Sequence, residues 1–238
     1  MTEPGDRRPL ALPRYRQPHE RAFGLNALDL RLAMHVKSAG GFYVEAGAND
    51  GVTQSNTLFL ARYRGWRGLL VEPVPELAAR CRAMRPESLV EQAALVAPDH
   101  GAPTATVRFA NLMSIVAGAR GGAAEDRAHV ARGAALPGVE TYDLEVPART
   151  LDAVLDGHGV ARVDLLCLDL EGYEPQALRG LDLDRRRPEW ILVEAWDRAA
   201  IDALLAPRYD AVGPLSHHDV LYRRRARGAR RRQPRWKA

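Results

Sequence analysis

The stretch FYVEAGANDG at residues 42–51 decides the fold, because a short apolar run leads directly into a glycine-containing turn. A second apolar run, GLLVEP, follows at residues 68–73, and a third, VDLLCLDL, at residues 163–170. The third run is almost continuously apolar, which is typical of a central parallel strand buried on both faces. Apolar residues at helical spacing between these runs give a βαβα alternation, so we expect a doubly wound α/β sheet.

Further strands and one long loop are predicted around these runs. The segment WILVEAW at residues 190–196 is a buried strand by the same criterion, and shorter strands are expected over residues 88–96 and 105–109. A closing hairpin is predicted from YDAVG and DVLYR, which a short polar stretch separates. Residues 118–138 contain five glycines, which predicts a long mobile loop with room for one helical turn and a possible role as a lid.

The turn after the first strand has the composition of a cofactor pocket. Gly47 and Gly51 allow the backbone to bend sharply and to approach a ligand closely. Glu72 ends the second strand 21 residues after Gly51, where nucleotide-binding α/β domains place a carboxylate for the ribose hydroxyls. Asn49 stands where dinucleotide enzymes have the glycine that admits a pyrophosphate. The turn therefore favours a cofactor without phosphates, such as S-adenosylmethionine, whose ammonium group Glu45 could contact.

A purely structural interpretation of the same turn is the alternative. In it the glycines only form a capped tight turn, and Glu45 pairs with Arg67 or another surface cation. The strand before the turn and the spacing to Glu72 favour the cofactor pocket.

A second group of acids follows the apolar run at residues 163–170. Asp169 and Glu171 are two residues apart, so their side chains are expected to point the same way, and Glu194 ends the next strand beside them. Paired carboxylates raise each other's proton affinity, which suits acid–base chemistry. The alternative is that these acids only complement the N-terminus of the following helix, which fits Glu174 best and Asp169 least.

The positive charge of the chain is concentrated in its last residues. Residues 223–238 carry eight Arg, one Lys and no acid, a charge of +9, so the +4 of the whole chain leaves residues 1–222 at −5. A block of like charges is expected to be a disordered, solvated tail. The Pro-rich residues 1–24 are expected to be a flexible arm, which leaves residues 25–222 as the folded domain. The acidic body argues against nucleic acid as the partner.

The two cysteines and the hydropathy indicate the cellular setting. Cys81 lies in a helical pattern and Cys167 in an apolar strand, so both are expected to be buried thiols in a reducing cytoplasm. No run of about 18 apolar residues is present, which argues against a membrane partner. A homodimer is compatible with the sequence, but no pattern requires one.

Several separated blocks of the sequence resemble the FkbM-type methyltransferase family. In order they are GANDG, SNT, GWRGLLVEP and LDLEGYE, and the resemblance extends from about Asp29 to Arg223. It implies a Rossmann-like class I methyltransferase fold: a seven-stranded, mostly parallel sheet with helices on both faces and a C-terminal antiparallel hairpin. It further implies S-adenosylmethionine as the cofactor and methylation of an oxygen, commonly a hydroxyl of a sugar or natural product.

The resemblance also assigns residues to the cofactor. Those expected to bind it are Glu45, Gly47, Ala48, Asn49, Asp50, Gly51, Ser55, Asn56, Glu72, Pro73 and Asp169. The chain departs from the family at two positions. Cys167 stands before Leu168 and Asp169 where a lysine is common, and Glu45 replaces the more usual Asp. Neither change removes the cofactor chemistry, but the loss of the lysine is expected to alter a buried charge pair on the substrate side.

Methylation of a hydroxyl requires removal of its proton, which calls for a base or a metal. The candidate bases, in order of preference, are Glu171, His217, Asp169 and His218. A divalent metal held by Asp169, Glu194 and a His is an alternative that the sequence does not favour. Two other functions stay open: an RNA methyltransferase aided by the Arg-rich tail, and a protein that binds the cofactor without catalysis.

Overall fold

The apolar run at residues 42–46 forms an inner strand of the computed structural model, which describes residues 22–135 and 139–226. The strands in these residues are β1 (Phe42–Ala46), β2 (Arg67–Val71), β3 (Leu89–Glu91), β4 (Ala94–Leu95), β5 (Thr104–Phe109), β6 (Ile115–Val116), β7 (Tyr142–Arg149), β8 (Leu165–Leu168), β9 (Trp190–Glu194), β10 (Tyr209–Pro214) and β11 (Asp219–Arg224). The α-helices are α1 (Leu28–His35), α2 (Leu58–Arg64), α3 (Pro75–Met84), α4 (Ala123–Ala134), α5 (Leu151–Gly157), α6 (Glu174–Arg179) and α7 (Arg198–Leu205). None of these helices has the length and apolar character of a membrane span.

Seven strands form the main sheet in the order β10-β11-β9-β8-β1-β2-β3. The five strands from β3 to β9 in this order are parallel to one another, whereas β11 is antiparallel to both β9 and β10. β1 is central because it pairs on both sides, with Val44 opposite Leu69 of β2 and Leu166 of β8. The predicted seven-stranded, mostly parallel sheet with a C-terminal antiparallel hairpin is confirmed.

Helices cover both faces of the main sheet, as predicted. On one face, side chains such as Val44 and Ile191 pack against α5, α6 and α7. On the other face, side chains such as Tyr43 and Cys167 pack against α1, α2 and Cys81 of α3. Because successive side chains of a strand point to opposite faces, a strand covered on both sides is apolar throughout. Both cysteines are free and buried, as expected.

A second, four-stranded sheet in the order β4-β7-β5-β6 departs from the prediction. The single strand expected over residues 88–96 is wrong, because β3 joins the main sheet and β4 pairs with β7. The chain changes sheets across Gln92, whose side chain donates a hydrogen bond to the Pro73 carbonyl at 2.8 Å. The two polar residues Glu91 and Gln92 interrupt the apolar pattern at this point, but the pattern alone does not show that the strand changes its neighbours. The longest partner, β7, has mixed polarity: four of its eight residues are exposed and only Val146 is buried.

The predicted mobile loop at residues 118–138 contains a regular helix, α4, of more than three turns. The buried carboxylate of Asp126 accepts hydrogen bonds from the backbone N–H groups of Gly118 at 2.6 Å and Arg120 at 3.1 Å. Gly133 packs so closely on Ala110 that an added Cβ would lie 2.9 Å from the Ala110 Cβ. These contacts, rather than local helix propensity, stabilise the segment. Residues 136–138 lie outside the described residues.

The fold continues beyond residue 222, where the charge pattern predicts a tail. Arg223 and Arg224 belong to β11, and Arg225 follows it directly. Their acid partners, in the same order, are Glu189, Asp184 and Asp210. The start of the arginine run therefore belongs to the folded domain, because acids of neighbouring elements pair with it. The rest of the predicted tail, residues 227–238, and residues 1–21 of the predicted arm lie outside the described residues.

Candidate active site

The carboxyl ends of the parallel strands meet at one edge of the main sheet, around a cavity of about 530 Å³. Its walls come from the ends of β1, β2, β8 and β9, from residues 111–116, and from the turn between β10 and β11. The predicted site residues that line it are Glu45, Gly47, Ala48, Asn49, Ser55, Asn56, Glu72, Pro73, Asp169, Glu171, Glu194, His217 and His218. Residues that are far apart in sequence are thus brought together where the sheet topology predicts a ligand site.

Two predicted cofactor residues, Asp50 and Gly51, do not line the cavity. The Asp50 carboxylate accepts hydrogen bonds from the backbone N–H groups of Val52 at 2.9 Å and Thr53 at 2.7 Å. Gly51 lies against Arg85 on the side of α3. The first half of the glycine-containing turn therefore faces the cavity, whereas Asp50 holds the following turn and Gly51 packs against α3.

Gly47 holds the turn close to the end of β8. Its φ of +82° is in the left-handed region, and an added Cβ would lie 1.9 Å from the backbone oxygen of Asp169. The Gly47 N–H donates to the Val71 carbonyl at 3.0 Å, which fixes the turn to β2 as well. Only glycine allows this approach of two strand ends at the cavity wall.

Replacing Gly47 with alanine is expected to destabilise the protein by clearly more than about 1 kcal/mol and to weaken cofactor binding, because the side chain would displace the end of β8. Gly40 is a matched control, since its φ is +70° but no atom lies within 4 Å of an added Cβ. Gly40→Ala should cost only the left-handed backbone strain, about 1 kcal/mol. Urea unfolding of both variants measures the difference, and equal losses would contradict the predicted clash.

Glu45 is buried and fully engaged within the protein. Its carboxylate accepts hydrogen bonds from Ser55 Oγ at 2.9 Å, from the Asn56 N–H at 2.6 Å and from Thr57 Oγ1 at 2.6 Å. Arg85, which is fully buried, lies 3.5 Å from the same carboxylate. The structure therefore gives Glu45 a buried cation that sequence reasoning missed, and not the surface cation of the alternative interpretation.

Glu72 is fixed at the end of β2 by backbone donors. Its Oε2 accepts from the Asn49 N–H at 2.8 Å, and its Oε1 accepts from the Val74 N–H at 3.0 Å. Burial raises the pKa of Glu72 to about 7. The carboxyl group thus ties the turn after β1 to the turn after β2, and it lies on the cavity wall between them.

Three acids converge on the opposite wall of the cavity. One carboxylate oxygen from each of Asp169, Glu171 and Glu194 lies within 4.8 Å of the others, as their positions at neighbouring strand ends predict. Burial, followed by the charge of Glu194, raises the pKa of Asp169 well above its usual range. Burial and the charge of Asp169 raise the pKa of Glu171 to about 7, and burial and Glu171 raise that of Glu194 to about 8. The cluster therefore binds protons near neutral pH, as acid–base chemistry requires.

Glu174 has the purely structural role considered in the sequence analysis, in which an acid complements the N-terminus of the helix that follows β8. It is fully buried in the first turn of α6, and its Oε1 accepts from the backbone N–H groups of Leu170 at 2.7 Å and Gly172 at 3.1 Å. Burial raises the pKa of Glu174 to about 7. It shapes the turn that carries Asp169 and Glu171 and does not line the cavity.

Two basic residues that sequence reasoning missed contact the acid cluster. Arg120 Nη2 donates to Glu171 Oε2 at 2.9 Å, and His129 Nε2 lies 3.4 Å from the same oxygen. Both come from the segment predicted as a loop. The signal that could have indicated them is the presence of Arg120, His129 and Arg132 in an otherwise glycine- and alanine-rich segment.

Aromatic rings form the rim of the cavity beside the acid cluster. Trp196 is 42% exposed, and the Arg120 guanidinium lies 3.8 Å from its ring centroid. His218 stacks on Trp196 with 4.4 Å between ring centroids, and His217 meets His218 edge-on. Both histidines are exposed, and neither approaches Glu171 in a hydrogen bond. The turn that carries them lines the cavity beside the acid cluster.

The sheet order, the turn after β1 and the acids at the ends of β2, β8 and β9 give the chain the fold of the class I methyltransferases. The family model described as the methyltransferase FkbM domain matches residues 45–211. This match covers more than half of the sequence, and the chain belongs to the FkbM methyltransferase family. A search of the curated proteins finds no match.

Several solved structures are similar in fold. An FkbM methyltransferase from Methylobacillus flagellatus KT is 15% identical with a TM-score of 0.45, and the comparison covers 78% of this chain but only 44% of that one. A methyltransferase from Geobacter sulfurreducens is 11% identical with a TM-score of 0.45, covering 86% of this chain and 81% of that one. A TehB-like SAM-dependent methyltransferase from Corynebacterium glutamicum is 11% identical with a TM-score of 0.43, covering 83% and 88%. At these identities and TM-scores, no property of those proteins is assigned to this chain.

Proposed function

We propose that this protein transfers a methyl group from S-adenosylmethionine to a hydroxyl oxygen of a small molecule, such as a sugar or natural product. The observation that supports the proposal is the cavity in which the turn after β1, Glu72 and the acids Asp169, Glu171 and Glu194 meet. One wall suits the cofactor, and the facing wall offers a base for the acceptor.

The wall formed by the ends of β1 and β2 fits a positively charged cofactor. Asn56 lines the cavity, and its buried Oδ1 accepts no hydrogen bond from the described residues, so it is available to an ammonium group. Glu72 adds a carboxyl group to this wall, whereas the carboxylate of Glu45 is already paired with Arg85. Glu72 also stands where α/β domains bind ribose hydroxyls, and Gly47 allows close approach of the backbone.

The facing wall fits the removal of a proton from the acceptor. When bound, S-adenosylmethionine supplies a methyl group on a sulfonium, which reacts by in-line displacement, so positioning contributes much of the rate. Glu171 is our preferred base, because Oε2 is held by Arg120 while Oε1 accepts no hydrogen bond from the described residues. His217 lies on the exposed rim and Asp169 is the more strongly shifted acid, so both rank behind Glu171. Residues 118–135 carry Arg120 to this wall, a position that suits a lid.

Metal assistance is the alternative for activating the acceptor. The oxygens of Asp169, Glu171 and Glu194 are close enough together to share one divalent cation. The guanidinium of Arg120 already contacts Glu171, which favours a base over a metal at this acid. Methyl transfer that persists in the presence of a strong chelator would exclude the metal, and complete loss that magnesium or manganese restores would establish it.

Calorimetric titration with S-adenosylmethionine and S-adenosylhomocysteine tests the cofactor. We expect micromolar affinity for the intact protein, and a loss of about 10- to 100-fold in Glu72→Ala, because a hydrogen bond to a charged group contributes about 1.5–3 kcal/mol. Glu72→Gln keeps the size of the side chain and should show a smaller loss. Glu189→Ala removes an exposed carboxylate that does not line the cavity and should bind normally.

This titration, together with assays of methyl transfer, separates the candidate functions. No binding to the intact protein would contradict the proposal. Cofactor binding without methyl transfer to any sugar or natural-product hydroxyl would favour a non-catalytic cofactor-binding protein. RNA methylation would be favoured by a turnover that depends strongly on salt and is lost when residues 227–238 are deleted. Arg223 pairs with Trp190 at the amino end of β9, whereas the cavity lies at the carboxyl ends of the parallel strands. The described part of the chain therefore ends on the side of the sheet away from the cavity.

A further inference from the structure

Hydrogen bonds within the segment from Ala117 to Ala135 hold its conformation where it contacts the acid cluster. Asp126 is 1% exposed and accepts hydrogen bonds from the backbone of Gly118 and Arg120. This places the Arg120 side chain between Trp196 and Glu171. The proposed function uses Glu171 but leaves the buried basic groups around it unexplained.

The hydrogen bonds of His129 determine which of its nitrogens carries a proton. The side chain is 1% exposed, and its Nδ1 lies 2.9 Å from Arg120 Nη2 and 3.1 Å from Arg132 Nη2. Guanidinium groups only donate, so Nδ1 must accept and cannot carry a hydrogen. Burial, followed by the two arginines, lowers the pKa of His129 to about 4, so the ring is neutral at physiological pH. A neutral ring with a bare Nδ1 carries its hydrogen on Nε2.

The Nε2 atom of His129 lies close to Glu171. Nε2 is buried and has no hydrogen-bond partner among the described residues, although it lies 3.4 Å from Glu171 Oε2. Buried N–H donors are almost always paired in proteins, and bonds at catalytic groups often shorten when the ligand binds. The backbone carbonyl of Met113 also lies near the ring and is the competing acceptor. Arg120 already donates to Glu171 Oε2 at 2.9 Å, so a second donor would complete its coordination.

We infer that His129 and Arg120 are positioning residues that both donate to Glu171 Oε2 and thereby leave Oε1 as the atom that receives the acceptor's proton. The inference rests on the proposed function, since it explains how Glu171 is oriented as the base. Arg120 Nη2 links the two groups, because it reaches both His129 Nδ1 and Glu171 Oε2. Glu171 itself has a φ of 53°, in the left-handed region that non-glycine residues rarely adopt.

Imidazole nitrogen NMR of the uniformly ¹⁵N-labelled full chain tests this inference without an acceptor. The His129 signals are those that disappear in His129→Gln. We expect the neutral Nε2–H form at neutral pH, with a slowly exchanging Nε2 proton whose resonance shifts in Glu171→Gln. A proton on Nδ1, a doubly protonated ring, or a resonance that is unchanged in Glu171→Gln would overturn the inference. The last result would assign the bond to the Met113 carbonyl.

A binding measurement keeps this result separate from the fate of the proposed function. S-adenosylmethionine affinity should change less than about threefold in His129→Gln and in Glu171→Gln, because both side chains lie on the acceptor wall. Absence of cofactor binding in the intact protein would contradict the proposed function, whatever the NMR shows. Normal cofactor binding together with the wrong tautomer would contradict only the positioning role. Thermal unfolding of both variants verifies that they are folded.

Discussion

Replacing Glu171 with glutamine is expected to lower kcat for methyl transfer by about 10²- to 10⁴-fold, the usual contribution of a positioned general base. Glutamine keeps the length of the side chain, but its neutral amide cannot take the proton from the hydroxyl that is methylated. Arg120 can still donate to the amide oxygen, so the wall of the cavity should keep its shape. The affinity for S-adenosylmethionine should be close to that of the intact protein, because Glu45, Asn56 and Glu72 lie on the other wall.

The pH dependence of methyl transfer gives a second measure of the same role. The pKa of Glu171 is raised to about 7, and only the ionised carboxylate can accept a proton. The rate of the intact protein should therefore rise as the pH increases through about 7 and level off above it. Glu171→Gln should lose this rise, whereas Glu189→Gln, an exposed acid outside the cavity, should keep it. Full activity of Glu171→Gln at any pH would rule out Glu171 as the base.

The sequence predicts the parts of the site that follow directly from strand ends. Gly47, Glu72, Asp169 and Glu194 all lie at the carboxyl ends of parallel strands, and those ends meet at one edge of any doubly wound sheet. Local pattern and topology are therefore sufficient to bring these residues to one cavity. The closing hairpin is predicted for the same reason, because its two strands have clear apolar patterns and a short polar connection.

The sequence does not predict residues whose role depends on tertiary packing. Arg85 comes just after α3 at helical spacing from Leu77 and Cys81, but its charge argues against burial. Only the partner Glu45, 40 residues away, explains why it is fully buried. Arg120 and His129 lie in a segment whose glycines lower its helix propensity. One of these glycines, Gly133, is required there because it packs against Ala110 with no room for a side chain. The glycine content of the segment predicts a loop, but packing against distant residues makes it a helix that forms part of the cavity wall.

The ends of the domain show the same difference between charge pattern and tertiary structure. A run of arginines without acids predicts a solvated tail from residue 223, because like charges repel one another. Arg223 and Arg224 nevertheless complete β11, since Glu189 and Asp184 come from other parts of the chain. Charge partners that are distant in sequence cannot be read from the run itself.

Replacing Arg85 with methionine is expected to destabilise the protein by about 3–5 kcal/mol, because the change leaves the buried carboxylate of Glu45 without its cation. Arg85 also donates to the Gly51 carbonyl at 3.2 Å and to Ser55 Oγ at 3.2 Å. Its removal would therefore loosen both ends of the turn after β1. Urea unfolding measures the loss. Arg179→Met, which breaks an exposed pair with Asp99, is the control and should leave the unfolding midpoint nearly unchanged.

The double variant Arg85→Met/Glu45→Gln separates the cost of an unpaired charge from the cost of lost packing. Glutamine at position 45 is neutral. Its oxygen, in the place of Oε1, can still accept from the Asn56 N–H, and its NH2 group, in the place of Oε2, can donate to Thr57 Oγ1. If the uncompensated charge dominates, the double variant should be more stable than Arg85→Met alone, since replacing both partners of a buried ion pair costs less than removing one. If lost packing and lost donors dominate, the two losses should add, and the double variant should be the less stable protein. The first outcome is the one we expect, because Arg85 is the buried cation that contacts Glu45 within the described residues.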